Sequence, residues 1–234
     1  MDRRKFNGLG AGWLAGVPVW WALDASALNL ADLSQGEAVQ GLKSALERGA
    51  RTAIAELGRP DGFLGREPVR IPLPRRLQEH EKLLRRLGQG RRLDELVTTM
   101  NRAAEAAVPQ AQELMLGAVR NMTVDDGKQI LRGGDTSVTT FFADKTRVPL
   151  GQKFLPVVSA TTARLNLAGQ YNRLVGKAAD YGLLRREEMT IEQYVTGKAL
   201  DGLYFMIGEE ERKIRSDPVG TGSALLSKVF GALR

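Results

Sequence analysis

Cysteine is absent from this chain and histidine occurs once, at His80. Without thiols there is no disulfide, iron–sulfur cluster, thiolate zinc site or thiolate nucleophile, and no cysteine to carry a lipid. One imidazole removes multi-histidine metal sites and leaves a single ring for acid–base work. His80 lies three residues after Leu77 and four before Leu84, the register of a partly buried packing residue. Long apolar runs are missing as well. The uncharged stretch from Asn7 to Leu23 is short for a transmembrane helix, which needs about 20 predominantly apolar residues. Pro18 and glycines at 8, 10, 12 and 16 weaken it further. No segment alternates at period two, so few or no strands are expected.

What the chain does have begins at its N-terminus. Arg3-Arg4-Lys5-Phe6 precedes the uncharged stretch, and Ala25-Ser26-Ala27 follows it. Paired arginines, a short apolar region and an A-x-A end form the pattern of a twin-arginine export signal, with Arg3, Arg4 and Phe6 as the routing residues and Ala25 and Ala27 flanking the cleavage point. Cleavage after Ala27 and a periplasmic location are expected. Asn7 stands where the routing motif usually has a second apolar residue, so general secretory export is the alternative route. Retention of the segment as an anchor is the other alternative.

Removing residues 1–27 leaves 207, enough to bury one core. The whole chain carries +7. The leader holds Arg3, Arg4 and Lys5 against Asp2 and Asp24, so the remainder keeps +6. In the periplasm this balance favours an anionic envelope component or a protein partner over nucleic acid. The basic residues are dispersed among acids, which is also how a soluble surface reads.

Helical periodicity dominates the remainder, predicting one all-α, multi-helix domain over residues 28–234. Ser34-Gln35-Gly36-Glu37 reads as a capping box and Gly58 as a stop, giving a helix from about Gln35 to Leu57. Residues 59–74 hold Pro60, Pro68, Pro72 and Pro74, and are expected to form an extended connector that docks Phe63, Leu64, Ile71 and Leu73 on the core. A helix from Pro74 to Leu87 closes at Gly88-Gln89-Gly90; the next runs from Arg91, and Pro109 divides it. Thr123 caps a short helix ending at Gly133-Gly134. Asp135 is read as the cap of a helix carrying Val138, Phe141 and Phe142, with a separate stripe after Pro149 containing Phe154, Val157, Val158, Thr161 and Leu165. Thr190-Ile191-Glu192-Gln193 opens a helix that Asp217-Pro218 stops, and Leu225, Leu226, Val229, Phe230 and Leu233 mark a last amphipathic helix.

Several stretches occur together and in order: Gly58-Arg59-Pro60-Asp61-Gly62-Phe63-Leu64, Val69-Arg70-Ile71-Pro72-Leu73-Pro74, Met100-Asn101-Arg102-Ala103-Ala104-Glu105, Lys198-Ala199-Leu200-Asp201-Gly202-Leu203 and Asp217-Pro218-Val219-Gly220. In these the chain resembles a bacterial family catalogued as domain of unknown function 4197, from about residue 33 to the C-terminus. The resemblance implies an exported, all-helical single domain and assigns no catalytic role.

Candidate functional residues therefore come from the pattern itself. Asn101 and Glu105 share a stripe with Val97, beside Met100, Ala104 and Arg102; they either grip a ligand or fasten the connector. Lys198 and Asp201, between Tyr194 and Phe205, read as an ion pair flanked by rings. Gly133-Gly134-Asp135-Thr136 offers a weak anion seat with no phosphate-loop lysine. Glu209-Glu210-Glu211 reads as a solvated face. Arg70 in the connector, and Arg91 and Arg92 with Arg85 and Arg86 around the Gly88 turn, could meet an anionic surface. The expected function is a non-catalytic binding or interaction module of the envelope. The alternative is a hydrolase or lyase using carboxylates such as Glu105 and Asp201.

Overall fold

A computed structural model describes residues 35–164, 166–181 and 190–216, and every regular element in them is helical. The leader, its cleavage point, Leu165 and the expected final helix lie outside the described residues, as does Ser34 of the first capping box. In chain order the helices are α1 (Gln35–Gly58), α2 (Arg75–Glu79), α3 (Glu81–Leu84), α4 (Gly90–Ala107), α5 (Ala111–Arg120), α6 (Val124–Arg132), α7 (Ser137–Arg164), α8 (Leu167–Asp180) and α9 (Ile191–Ser216). A wide turn of π geometry, Arg85–Gln89, joins α3 to α4, and a 3-10 turn, Val108–Gln110, carries the chain through Pro109 into α5.

Helix α9 is the hub. It packs most extensively along α7 and also meets α1, α4 and α8. Its buried stripe of Val195, Ala199, Leu203, Met206 and Ile207 belongs to one continuous core with Leu42, Leu46 and Ala50 of α1 and Phe142, Leu150 and Phe154 of α7. Sealing each of the larger apolar side chains stabilises the fold by roughly 1.5–3 kcal/mol.

Two capping boxes form. Thr123 Oγ1 accepts from the Asp126 N–H, and the Asp126 carboxylate accepts from the Thr123 N–H. These bonds hold the Asp126 carboxyl below its ordinary range. At α9, Thr190 N–H donates to Gln193 Oε1 at 3.1 Å, and Gln193 N–H returns a bond to Thr190 Oγ1 at 3.3 Å.

Three expectations need correction. The helix expected from Pro74 to Leu87 breaks at His80, which sits off the helical backbone at φ −109° and ψ 7°. Pro149 does not divide α7, which runs for 28 residues through both Pro149 and Pro156. Each interior proline costs about 3 kcal/mol, but Phe142, Leu150, Phe154 and Val158 are buried on both sides of the two rings, and that packing outweighs the local penalty. The connector is also less extended than its prolines imply. Turns occupy residues 60–65 and 67–69, closed by bonds such as Gly65 N–H to Asp61 O (3.1 Å) and Val69 N–H to Arg66 O (3.1 Å), and the longest stretch without a turn is residues 70–74. Phe63, Val69, Ile71 and Leu73 are all buried from it.

Phe63 fits because α9 has a glycine opposite. A Cβ on Gly202 would lie 2.6 Å from Phe63 Cε1 and 3.4 Å from Val69 Cβ. Gly202→Ala is therefore expected to destabilise the fold by about 1–3 kcal/mol through overpacking, although alanine is the better helix former. Thermal unfolding of the variant, read by circular dichroism, checks this.

Candidate functional site

The connector is held by α4. Glu105, on the inward face of that helix, accepts from the backbone N–H groups of Phe63 (3.1 Å) and Leu64 (3.2 Å) through Oε1. Its other oxygen takes a bond from Arg102 at 2.7 Å, and Arg102 reaches on to Asp61 at 2.8 Å. One turn earlier Asn101, wholly buried, pairs with both backbone groups of Ile71. Its Oδ1 accepts from Ile71 N–H at 2.8 Å, and its Nδ2 donates to Ile71 O at 2.9 Å and Val97 O at 2.8 Å. From α9, the Tyr194 hydroxyl donates to Pro72 O at 3.0 Å. Asn101, Arg102 and Glu105 thus meet as one group, and what they grip is the chain itself.

A second buried carboxylate does the same for α7. Glu211, 2 % exposed, is not part of a solvated face. It accepts from the N–H groups of Val138 and Thr139, both at 3.1 Å, and from the Thr139 hydroxyl at 3.1 Å. Arg215, one turn on, donates to it and to Ser137 Oγ at 2.7 Å. So α7 is capped by a carboxylate from α9; Asp135, assigned that role from the sequence, is exposed. The other first-turn donors are also engaged, Ser137 N–H with Gly134 O and Thr140 N–H with Thr136 O. The first-turn N–H groups of α7 are therefore not free for the anion expected near Gly133-Gly134. The signal for Glu211 was its register: it continues the buried α9 stripe four residues after Ile207, and the surrounding run of glutamates hid it.

Lys198 and Asp201 do pair, at 3.7 Å, but on the surface, with 43 % and 49 % of their side chains exposed. Asp201 has a closer partner that spacing could not reveal, Arg147 of α7 at 2.5 Å. The Arg147 guanidinium lies 5.6 Å from the centroid of the Tyr204 ring, and burial raises the Tyr204 hydroxyl above its ordinary range. Arg147, Asp201 and Tyr204, with Phe205, Asp135 and Arg212, line an open groove of about 580 Å³ between α7 and α9.

The remaining cations gather around the turn between α3 and α4. Arg85 bridges Glu81 at 2.8 Å and Asp94 at 2.6 Å, which lowers the Asp94 carboxyl below its usual range. Arg91 pairs with Glu95 at 3.0 Å, and Arg92 donates to the Gln89 amide at 2.7 Å. Arg70 is exposed in the connector, and its charge reaches Asp94. An apolar cavity enclosed by α1, α7 and α9, beside Leu46, Phe142 and Ile207, measures about 20 Å³, room for about one water. Among the described residues no group of three or more His, Asp or Glu side chains could hold a metal ion, and no helix is long and apolar enough to cross a membrane.

The fold and these sites define an all-helical domain whose buried polar groups clamp its own backbone. The chain belongs to the family described as protein of unknown function (DUF4197), whose family model matches residues 32–231. No curated protein and no solved structure matches the chain.

The two carboxylates named as candidates should separate cleanly. Glu105→Ala leaves two buried N–H groups without an acceptor and is expected to cost about 3 kcal/mol or more, and to speed tryptic cleavage at Arg59, Arg66 or Arg70. Asp201→Ala removes a half-exposed pair and should cost at most about 1 kcal/mol. Melting temperatures and limited proteolysis of the two variants measure both effects.

Proposed function

We propose that the chain is exported through its N-terminal segment, cleaved after Ala27, and acts in the periplasm as a non-catalytic binding module of the cell envelope. The observation that carries the binding reading is the engagement of both buried carboxylates. Glu105 and Glu211 have each oxygen tied to backbone N–H groups, hydroxyls or an arginine. A general acid or base needs an oxygen facing substrate, and neither residue offers one. What the molecule presents outward is the α7–α9 groove and the cations of the connector and the α3–α4 turn, including Arg70, Arg91 and Arg92. A protein segment or an anionic envelope component is the partner class that these surfaces suit. Export rests on Arg3, Arg4 and Phe6 ahead of the uncharged stretch and on Ala25 and Ala27 after it.

Fractionation with N-terminal sequencing tests the location. The mature chain is expected in the periplasm beginning at Leu28, and Arg3-Arg4→Lys-Lys is expected to abolish export if routing is twin-arginine. Native mass spectrometry of the purified periplasmic form tests the activity and is expected to show a bound partner or ligand. A cytoplasmic protein retaining Met1 would overturn the location. Turnover in a periplasmic metabolite screen, lost in a folded Asp201→Asn variant, would overturn the binding reading.

A further inference from the structure

The elbow between α3 and α4 combines features that its packing does not use. From Lys82 to Gly88 only Leu84 is buried. Leu83, in α3, and Leu87, in the turn that follows it, are 42 % and 37 % exposed. Lys82 and Arg86 each precede one of them in the chain and are exposed as well. Gly88 adopts φ +78°, a left-handed turn that glycine accommodates readily, and the chain leaves there for α4. Residues 75–92 hold seven lysines and arginines against two glutamates, a net +5 with His80 neutral.

Much of that charge is internally matched. Arg75 pairs with Glu79, Arg85 with Glu81 and Asp94, and Arg91 with Glu95. Among the described residues Lys82 and Arg86 have no acidic partner, and Arg92 has only the Gln89 amide. Two leucines that the core does not take, set between cations that the acids do not take, form the two halves of an interfacial contact. Apolar side chains enter the acyl boundary while the ammonium and guanidinium groups meet headgroup phosphates. An anionic small molecule would account for the charges and not the leucines. An acidic protein face would account for both, but the depression adjoining the elbow is lined by Asp94 and Glu95 as well as by Arg85 and Arg91, and those carboxylates would repel one.

We infer that the Lys82–Leu87 elbow docks this domain on the surface of an anionic lipid bilayer, Leu83 and Leu87 inserting shallowly and Lys82, Arg86 and Arg92 contacting lipid phosphates. This rests on the envelope location proposed above and names the partner. The contact is peripheral: two leucines and three cations give reversible, salt-sensitive binding.

Sedimentation with vesicles tests it, using the chain as cells accumulate it, so that any contribution of the N-terminal segment is the same in every variant. Vesicles of phosphatidylcholine with 30 % phosphatidylglycerol are compared with pure phosphatidylcholine. The wild type is expected to partition onto the anionic vesicles, to bind neutral ones far less, and to release in about 0.5 M salt, where the Debye length falls to a few ångströms. Lys82→Glu with Arg86→Glu should weaken binding by roughly tenfold or more. Leu83→Ser with Leu87→Ser should weaken it several-fold while keeping the salt dependence. Circular dichroism should show both variants folded, since all four side chains are exposed. Equal binding to both vesicle types, or variants that bind anionic vesicles as the wild type does, would overturn the inference. Absence of vesicle binding alongside a protein captured by cross-linking from Arg86→Cys would also overturn it, and would leave the broader binding reading standing.

Discussion

A carboxylate removed from water needs hydrogen-bond donors, and a buried backbone N–H needs an acceptor. Glu105 meets both requirements at one point by accepting from Phe63 and Leu64, and the rest of the structure depends on that exchange. Residues 59–74 satisfy only part of their own polar groups: turn bonds such as Gly65 N–H to Asp61 O close within the segment, while the N–H groups of Phe63, Leu64 and Ile71 find their acceptors on α4 as Phe63, Val69, Ile71 and Leu73 enter the core. Helix α4 supplies what is missing, Asn101 matching Ile71 and Glu105 matching the turn before it. Glu211 repeats the solution at the start of α7. Both buried carboxylates are thereby committed to holding the backbone of the chain itself.

Where local chemistry decided the fold, the sequence was readable. The Thr123 and Thr190 caps, the Gly58 stop and the periodic stripes of α1, α4 and α9 each carry their cause within a few residues. Asn101 and Glu105 stood out because polar side chains on an apolar stripe must find partners, and the connector was the nearest irregular segment able to provide them. Tertiary packing hid the rest. Pro149 and Pro156 signal breaks, and only the burial of Phe142, Leu150, Phe154 and Val158 around them keeps α7 continuous. Arg147 meets Asp201 across 54 residues, a separation no spacing rule addresses. Glu211 was masked by its acidic neighbours, although its position on the α9 stripe was visible.

The outward-facing features divide by how completely they are matched. In the α7–α9 groove Arg147 and Asp201 neutralise one another over the Tyr204 ring, so a ligand there must displace or bridge an existing pair. At the α3–α4 elbow several cations are held by acids one turn away, and the remainder stand beside exposed leucines. Unmatched charge next to unmatched apolar surface distinguishes the elbow from the groove. Helix α4 grips the connector with its buried face and begins at the elbow with its exposed end.

Asn101 behaves toward Ile71 as a neighbouring strand would, offering one acceptor and one donor in the space of a single amide. That dependence has a chemical consequence over the lifetime of the protein. Deamidation would replace the donating nitrogen with an oxygen facing the carbonyls of Ile71 and Val97, turning two attractions into repulsions inside a sealed site. The reaction requires the side-chain carbonyl to meet the backbone nitrogen of Arg102, an approach that helical geometry opposes while the amide is held in place. The clasp thus shields its own most vulnerable atom, and damage at this position would report how often α4 opens.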